Sequence, residues 1–160
     1  MSQPPAPRFG HVGTTQPGDL FHSRLELSLR GQHRPRRAGV AATAALGAES
    51  IVLAAAYEDD EYHENYFWYA GSGGRDAKTG RQIAAQDPAD YRNQGLLRSE
   101  QTGQPVRVFR RIAPGGAWQF RYEGLWRVVA HTVGPGRAGW QVFRFRLEPW
   151  GSPGLLGAGR

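Results

Sequence analysis

The chain has 160 residues, 39% hydrophobic and 21% charged, a balance that fits one globular domain able to bury a core without cross-links. It has no cysteine, which excludes disulfides and thiolate metal sites, and no apolar run near the roughly 18 residues of a membrane span. The formal net charge of +6 points to a polyanionic partner.

Arginine supplies every basic residue except Lys78. GC-rich coding would explain that scarcity of lysine, but it explains the positive balance less well. The opening segment MSQPPAPRFG lacks the apolar stretch of a secretory signal, so a cytoplasmic protein is expected. In chain order, the proline-rich residues 1–8 are expected to be disordered. Phe21, Leu25, Leu27 and Leu29 share a parity between Gly18 and Gly31 and read as a strand with one buried face. The basic segment Gly31–Gly39 reads as a loop. SIVLAAAY (Ser50–Tyr57) is a continuous apolar run of strand length, consistent with burial on both faces. Glu58, Asp59, Asp60, Glu61 and Glu64 then crowd together, and NYFWYA (Asn65–Ala70) reads as an aromatic strand.

A glycine-rich loop over Gly71–Gly80 precedes the best helix candidate. Asp87 is its expected N-cap and Pro88 its first residue; it runs to about Glu100, with Gly103 beyond its end. PVRVFRR, FRYEGLWRVVAHTV and GWQVFRFRLEP supply three more strands. In the last, Phe143, Phe145 and Leu147 alternate with Arg144 and Arg146, giving one apolar and one basic face. From Arg98 to Arg146 nine arginines stand against Glu100 and Glu123, a basic C-terminal half. The expected fold is mainly β with minor helices (α+β), a small curved sheet or β-barrel, with residues 9–149 as the domain and 150–160 as a flexible tail or linker.

Several catalytic signatures fail. Ser72 and Ala77 stand where a phosphate-binding G-x-x-x-x-G-K-[ST] loop requires glycine, and Asp76 occupies the third glycine of G-x-G-x-x-G. Asp59, Asp60 and Asp76-Ala77-Lys78 mimic a metal-dependent nuclease pattern, but the lysine lies in a glycine loop rather than on a rigid strand. His11, His22, His33, His63 and His131 have no metal-ligand spacing. No catalytic residue, metal or cofactor is expected.

The strings FGHV (Phe9–Val12), RLELSLRGQHRPRRAG (Arg24–Gly39), YEDD (Tyr57–Asp60), YAGSGGRD (Tyr69–Asp76), GQPVRV (Gly103–Val108) and RYEGLWRVV (Arg121–Val129) follow one another in an order that resembles the SET- and RING-finger-associated (SRA, or YDG) domain family, bacterial type. The resemblance spans nearly the whole chain. It implies binding of duplex DNA that contains 5-methylcytosine or 5-hydroxymethylcytosine, by flipping the base out of the stack.

On this resemblance Tyr57 and Tyr69 sandwich the flipped base, and Asp60 accepts from its exocyclic amino group, where thymine would present a repelling carbonyl. Backbone N–H groups around Asp60 and Ala70 serve the ring nitrogen and carbonyl. Ala54, Ala56 and Ser72 complete the pocket. One DNA-contacting loop maps to Arg34–Gly39 (Arg34, Arg36, Arg37), the other to Lys78–Gln82 (Lys78, Thr79, Arg81, Gln82), where arginine suits guanine's acceptors. Contacts to phosphate alone are the alternative for both loops.

Ala55-Ala56 replaces the family's frequent Gly-Gly, Ala70 a common Thr, and Tyr122-Glu123-Gly124 the eponymous motif. The resemblance also implies a covalently linked HNH nuclease domain downstream, as in modification-dependent restriction endonucleases. Other readings remain: core roles for both tyrosines, a turn-capping role for Asp60, a generic nucleic-acid-binding barrel, or a metal-dependent hydrolase.

Overall fold

The computed structural model describes residues 6–151. The elements are β1 (Leu20–Phe21), α1 (Arg24–Leu29), β2 (Val40–Thr43), β3 (Gly47–Leu53), β4 (Glu61–Tyr62), β5 (Phe67–Ala70), α2 (Tyr91–Thr102), β6 (Val106–Ile112), β7 (Gln119–Pro135) and β8 (Gln141–Pro149). The strands form one curved sheet in the order β2-β3-β6-β7-β8-β5-β4, with β1 added alongside β7. Neighbours are antiparallel except β3 and β6, which run parallel. A parallel pair needs a long crossover. This one carries β4, β5, the glycine-rich loop and α2, so most of the candidate site comes from a single excursion of the chain, completed by Arg24 and the 37–39 segment.

β3 is buried along its whole length. Ile51 and Leu53 face a core that includes Phe67, Tyr69, Phe145 and Leu96 of α2, whereas Val52 faces a second core of Phe21, Phe109, Phe120, Tyr122 and Leu27 of α1. Each helix covers one face, which is why the run of apolar residues does not alternate. In β8, Phe143, Phe145 and Leu147 are buried while Arg144 and Arg146 lie on the other face, as the alternation requires.

Five expectations shift. The segment read as a strand from Phe21 to Leu29 is two residues of strand followed by a helix. Ser23 caps the Glu26 N–H while the Glu26 carboxylate accepts from the His22 N–H, a reciprocal capping arrangement whose Ser-x-x-Glu spacing outranks the leucine parity. Leu27 is buried, but Leu25 and Leu29 are exposed. The second helix starts three residues late, with Asp90 as N-cap; Asp87 instead closes the preceding turn through the Ala89 N–H. Gly103 ends it in the left-handed conformation.

The chain also leaves β3 after Leu53 rather than continuing to Tyr57. Ala55 turns it with φ of 51°, a left-handed conformation that glycine adopts without cost, which accounts for glycine being frequent there in the family. Finally, the disorder expected over 1–8 does not extend to Arg8, whose N–H donates to Glu49 and whose carbonyl accepts from Arg107. Trp150, assigned to the tail, donates its N–H to the Leu125 carbonyl; residues 1–5 and 152–160 of those two expectations lie outside the described residues.

Candidate nucleic-acid interface

Four successive side chains of the Tyr57–Asp60 turn hold four different parts of the protein. The Tyr57 hydroxyl accepts from the Gly73 N–H at 3.0 Å, and Glu58 accepts from the Gln82 N–H at 3.5 Å. Asp59 Oδ1 accepts from the Arg137 N–H at 2.9 Å, and Asp60 Oδ1 from the Ala70 N–H at 2.8 Å. The turn itself closes with the Asp60 N–H donating to the Tyr57 carbonyl at 3.1 Å. It joins the glycine-rich loop, the β7–β8 turn and the end of β5.

Asp60 Oδ2 accepts from the Tyr62 hydroxyl at 3.2 Å and the Tyr57 N–H at 3.4 Å. Burial is the largest influence on this carboxyl and raises its pKa from 3.8 to about 6; the three hydrogen bonds oppose the shift and the neighbouring Asp59 charge adds to it. Tyr69 is also pushed well above the usual phenol range, by burial and then by the Asp60 charge.

Tyr57, Asp60 and Tyr69 line one cavity of about 440 Å³, with Ala54, Ala56 and Ser72 in its wall. That is the size of a small-molecule site. Tyr69 is only 5% exposed and packs against Phe67, yet it lines the cavity. Its hydroxyl donates to the Gly39 and Val52 carbonyls at 3.3 Å each. A Cβ at residue 39 would sit 2.7 Å from that hydroxyl, so Gly39 is required for the approach. The Gly71–Ser72 wall is set by buried amides: Asn93 of α2 bonds both the Ser72 N–H and carbonyl, and Gln86 accepts from Phe143 N–H while donating to Gly71.

Ala70 does not line the cavity. The amides of Asp60 and Ala70, expected to serve the base, are engaged within the protein, and that of Ala70 orients the Asp60 carboxylate. Arg24, Arg75 and Arg92, which sequence reasoning passed over, also line the cavity. Arg75 stands over the Tyr57 ring at 5.2 Å, Arg92 pairs with Asp90, and Arg24 donates to the Pro35, Arg37 and Ala38 carbonyls.

Arg24 thereby shapes the 34–39 loop. Behind it lies His33, fully buried, with Nε2 against the Ala38 carbonyl and Nδ1 against the Ser50 hydroxyl. Burial pushes its pKa down to about 3, so the ring is neutral: Nε2 donates and Nδ1 accepts. Arg36 and Arg37 are exposed, but Arg34 is paired with the buried Glu49 and so holds the loop's base. The opposite loop is a short hairpin in which Arg75 pairs with Gln82 and Asp76 caps the turn through the Lys78 and Thr79 N–H groups. Lys78, Thr79 and Arg81 are exposed. Gln82 is buried and donates to the Gly73 and Ala84 carbonyls at 2.8 Å each.

The structure therefore separates outward from inward members of both loops, which residue type does not. Gln82→Ala leaves two inward carbonyls without their donor and is expected to destabilise the domain by about 1–3 kcal/mol in urea titrations. Arg81→Ala is expected to stay within about 0.5 kcal/mol of wild type.

The basic C-terminal half is mostly not a free cationic surface. Arg107 is fully buried. Arg110 and Arg121 share Glu123, Arg144 pairs with Glu61 and stacks on Trp68, and Arg146 pairs with Glu148 beneath the Tyr66 ring. Arg111 stacks on Trp118. Linear charge density overstates what these arginines present to a partner.

Comparison with known proteins bears on the family and the fold. The SAD/SRA domain family profile matches residues 8–151. The rat E3 ubiquitin-protein ligase UHRF1 is 31% identical over 91% of this chain, though the match covers 23% of UHRF1. The chain thus spans about a quarter of the length of the curated relatives it matches. Among solved structures, the modification-dependent TagI restriction endonuclease superposes with a TM-score of 0.82 at 34% identity, over 95% of this chain and 56% of TagI. The SRA domain of SUVH5, solved with hemimethylated CG DNA, superposes with a TM-score of 0.76 at 31% identity, over 91% of this chain and 95% of that domain.

Proposed function

Because the chain belongs to the SAD/SRA domain family, we propose that it binds duplex DNA containing 5-methylcytosine or 5-hydroxymethylcytosine by drawing the modified base into the Tyr57–Tyr69 cavity. The observation that carries this reading is the Asp60 carboxylate, fixed by three hydrogen bonds at the wall of a cavity bordered by two tyrosine rings. Extruding a base costs its stacking and pairing; aromatic faces return roughly 1–3 kcal/mol of stacking. The carboxylate is an acceptor only, which suits the cytosine amino group and repels the thymine carbonyl. Ala54, Ala56 and Ser72 surround the base and its C5 substituent, while Ala70 acts through the orientation of Asp60.

Arg36 and Arg37 on one side and Lys78, Thr79 and Arg81 on the other contact the duplex around the vacated position; Arg34 and Gln82 support those loops from within. The domain is a binding module, and its similarity to TagI supports a role as the specificity half of a modification-dependent HNH endonuclease. It would then act on cytoplasmic, nucleoid DNA of a bacterium. No helix among the described residues is long and apolar enough to cross a membrane.

The test is a titration of 5-methylcytosine, 5-hydroxymethylcytosine and unmodified duplexes at one fixed salt concentration, since phosphate contacts make affinity salt-dependent. At least one modified duplex is expected to bind more tightly than the unmodified one, and Tyr57→Ala to remove the difference. Equal affinity for all three duplexes would overturn the proposal.

A further inference from the structure

We propose that the β7–β8 turn is a third DNA-contacting loop, in which Arg137 binds a backbone phosphate of the duplex whose base enters the cavity. The proposal rests on the function proposed above and extends it to a surface outside both loops already assigned. Gly136–Gly139 forms a tight turn: the Gly136 N–H donates to the Trp140 carbonyl at 2.8 Å and the Gly139 N–H to the Gly136 carbonyl at 2.9 Å. Gly139 has φ of 88°, and a Cβ on Gly136 would lie 2.5 Å from Asp59 Oδ2. Gly136 lets the turn press against Asp59, and Gly139 supplies the left-handed residue that closes it.

That contact places the turn beside the cavity. Asp59 is buried and adjacent in sequence to Asp60, whose carboxylate lines the cavity, and it accepts from the Arg137 N–H. On the other side of the same four-residue turn, Glu58 holds the N–H of Gln82, the base of the loop carrying Lys78 and Arg81. The β7–β8 turn and that loop therefore flank one element.

Exposure together with lack of a partner sets Arg137 apart from the paired arginines of the C-terminal half. Arg144 and Arg146 each pair with a glutamate and Arg110 and Arg121 share one, whereas Arg137 is exposed and its guanidinium has no hydrogen-bond or ion-pair partner among the described residues. Asp59 takes only the backbone N–H of Arg137, through Oδ1, and forms no ion pair with the guanidinium, which leaves that side chain available. Trp140, 46% exposed, stands three residues on at the end of the same turn, so one turn carries both a cation and an aromatic side chain, as other nucleic-acid surfaces do. A guanidinium held on a rigid turn suits a phosphate, which positions the duplex without reading its sequence.

The experiment measures binding of the whole chain to modified and unmodified duplexes between about 50 and about 200 mM salt. Arg137→Ala is compared with Arg127→Ala, at the opposite end of the same strand pair. Arg137→Ala is expected to weaken both duplexes about equally, by about three- to tenfold at the lowest salt, and to reduce the log–log salt slope by about 1. The ratio between duplexes is expected to be preserved, and Arg127→Ala to match wild type. An Arg137→Ala slope and affinity equal to wild type overturn the proposal, as does an equal loss in Arg127→Ala, which would mean a net-charge effect. Failure of the base-recognition reading is seen separately, as a wild-type ratio of 1.

Discussion

Replacing Asp60 by alanine is expected to lower affinity for a modified-cytosine duplex by about 10- to 150-fold while leaving the unmodified duplex within about threefold. The magnitude follows from removing one charge-assisted hydrogen bond, about 1.5–3 kcal/mol, at about 1.4 kcal/mol per tenfold. The carboxylate is already aimed by Ala70, Tyr57 and Tyr62, so little ordering is left to be done when the base arrives. Comparing the two duplexes separates loss of the base contact from loss of phosphate contacts, which alanine at this position does not touch.

The same residue sets a pH dependence of definite sign. Its pKa in the folded domain is about 6, above the ordinary 3.8. Only the ionised form is a pure acceptor, so base-dependent affinity is expected to be full above pH 6 and to fall as pH drops through that value. Stability moves the other way at this site. A raised carboxyl pKa means that the folded state binds the proton more tightly, so acidification from about 6 towards 3.8 stabilises the fold here. Binding lost near pH 5 with an undiminished melting temperature is therefore the expected signature. An affinity for the modified duplex that is flat across this window would show that the Asp60 charge takes no part in recognition.

Replacing Arg107 is expected to have the largest effect on stability. Its side chain is fully buried at the start of β6; Nε donates to the Gln32 carbonyl and Nη1 to those of Arg8 and Gly10. Glu49, equally buried, lies 3.9 Å from Nη2 and also receives Arg34 and the Arg8 N–H. Alanine would strand three carbonyls in the interior and leave the buried Glu49 with Arg34 as its one cation among the described residues. Breaking a buried pair by deleting one partner costs about 3–5 kcal/mol, a large share of the about 5–15 kcal/mol that stabilises a typical domain. Arg107→Lys keeps the charge but lacks the planar fork that reaches three carbonyls, so it is expected to recover only part of the loss. Urea unfolding of both variants checks the order; an alanine variant as stable as wild type would remove Arg107 from this role. Since Arg34 pairs with the same glutamate, loosening this network also frees the base of the 34–39 loop.

Much of the site was legible in the residue order. Tyr57, Asp60 and Tyr69 carry chemistry that few other arrangements need, and the resemblance placed them together before any coordinates did; the structure sets all three around one cavity. The alternation in β8 and the burial of Ser50–Leu53 on both faces were also readable, because side-chain period and burial are local properties. Where local signals conflicted, as over Phe21–Leu29, leucine parity suited a strand and the Ser23–Glu26 spacing suited a helix; the helix formed because capping satisfies backbone donors at once.

What the sequence by itself determined, then, was the list of chemically apt residues, the predominance of strands and the apolar and basic faces of β8. Only the tertiary structure decided which of those residues face outward. Arg34 finds Glu49 across 15 positions, Gln82 finds Gly73 across 9, and Asp59 finds Arg137 across 78. The physical reason is that an arginine or amide has the same intrinsic chemistry whether it meets a buried carboxylate or a phosphate. Its role is set by the partner that the fold brings within hydrogen-bond reach, and such partners are non-local along the chain.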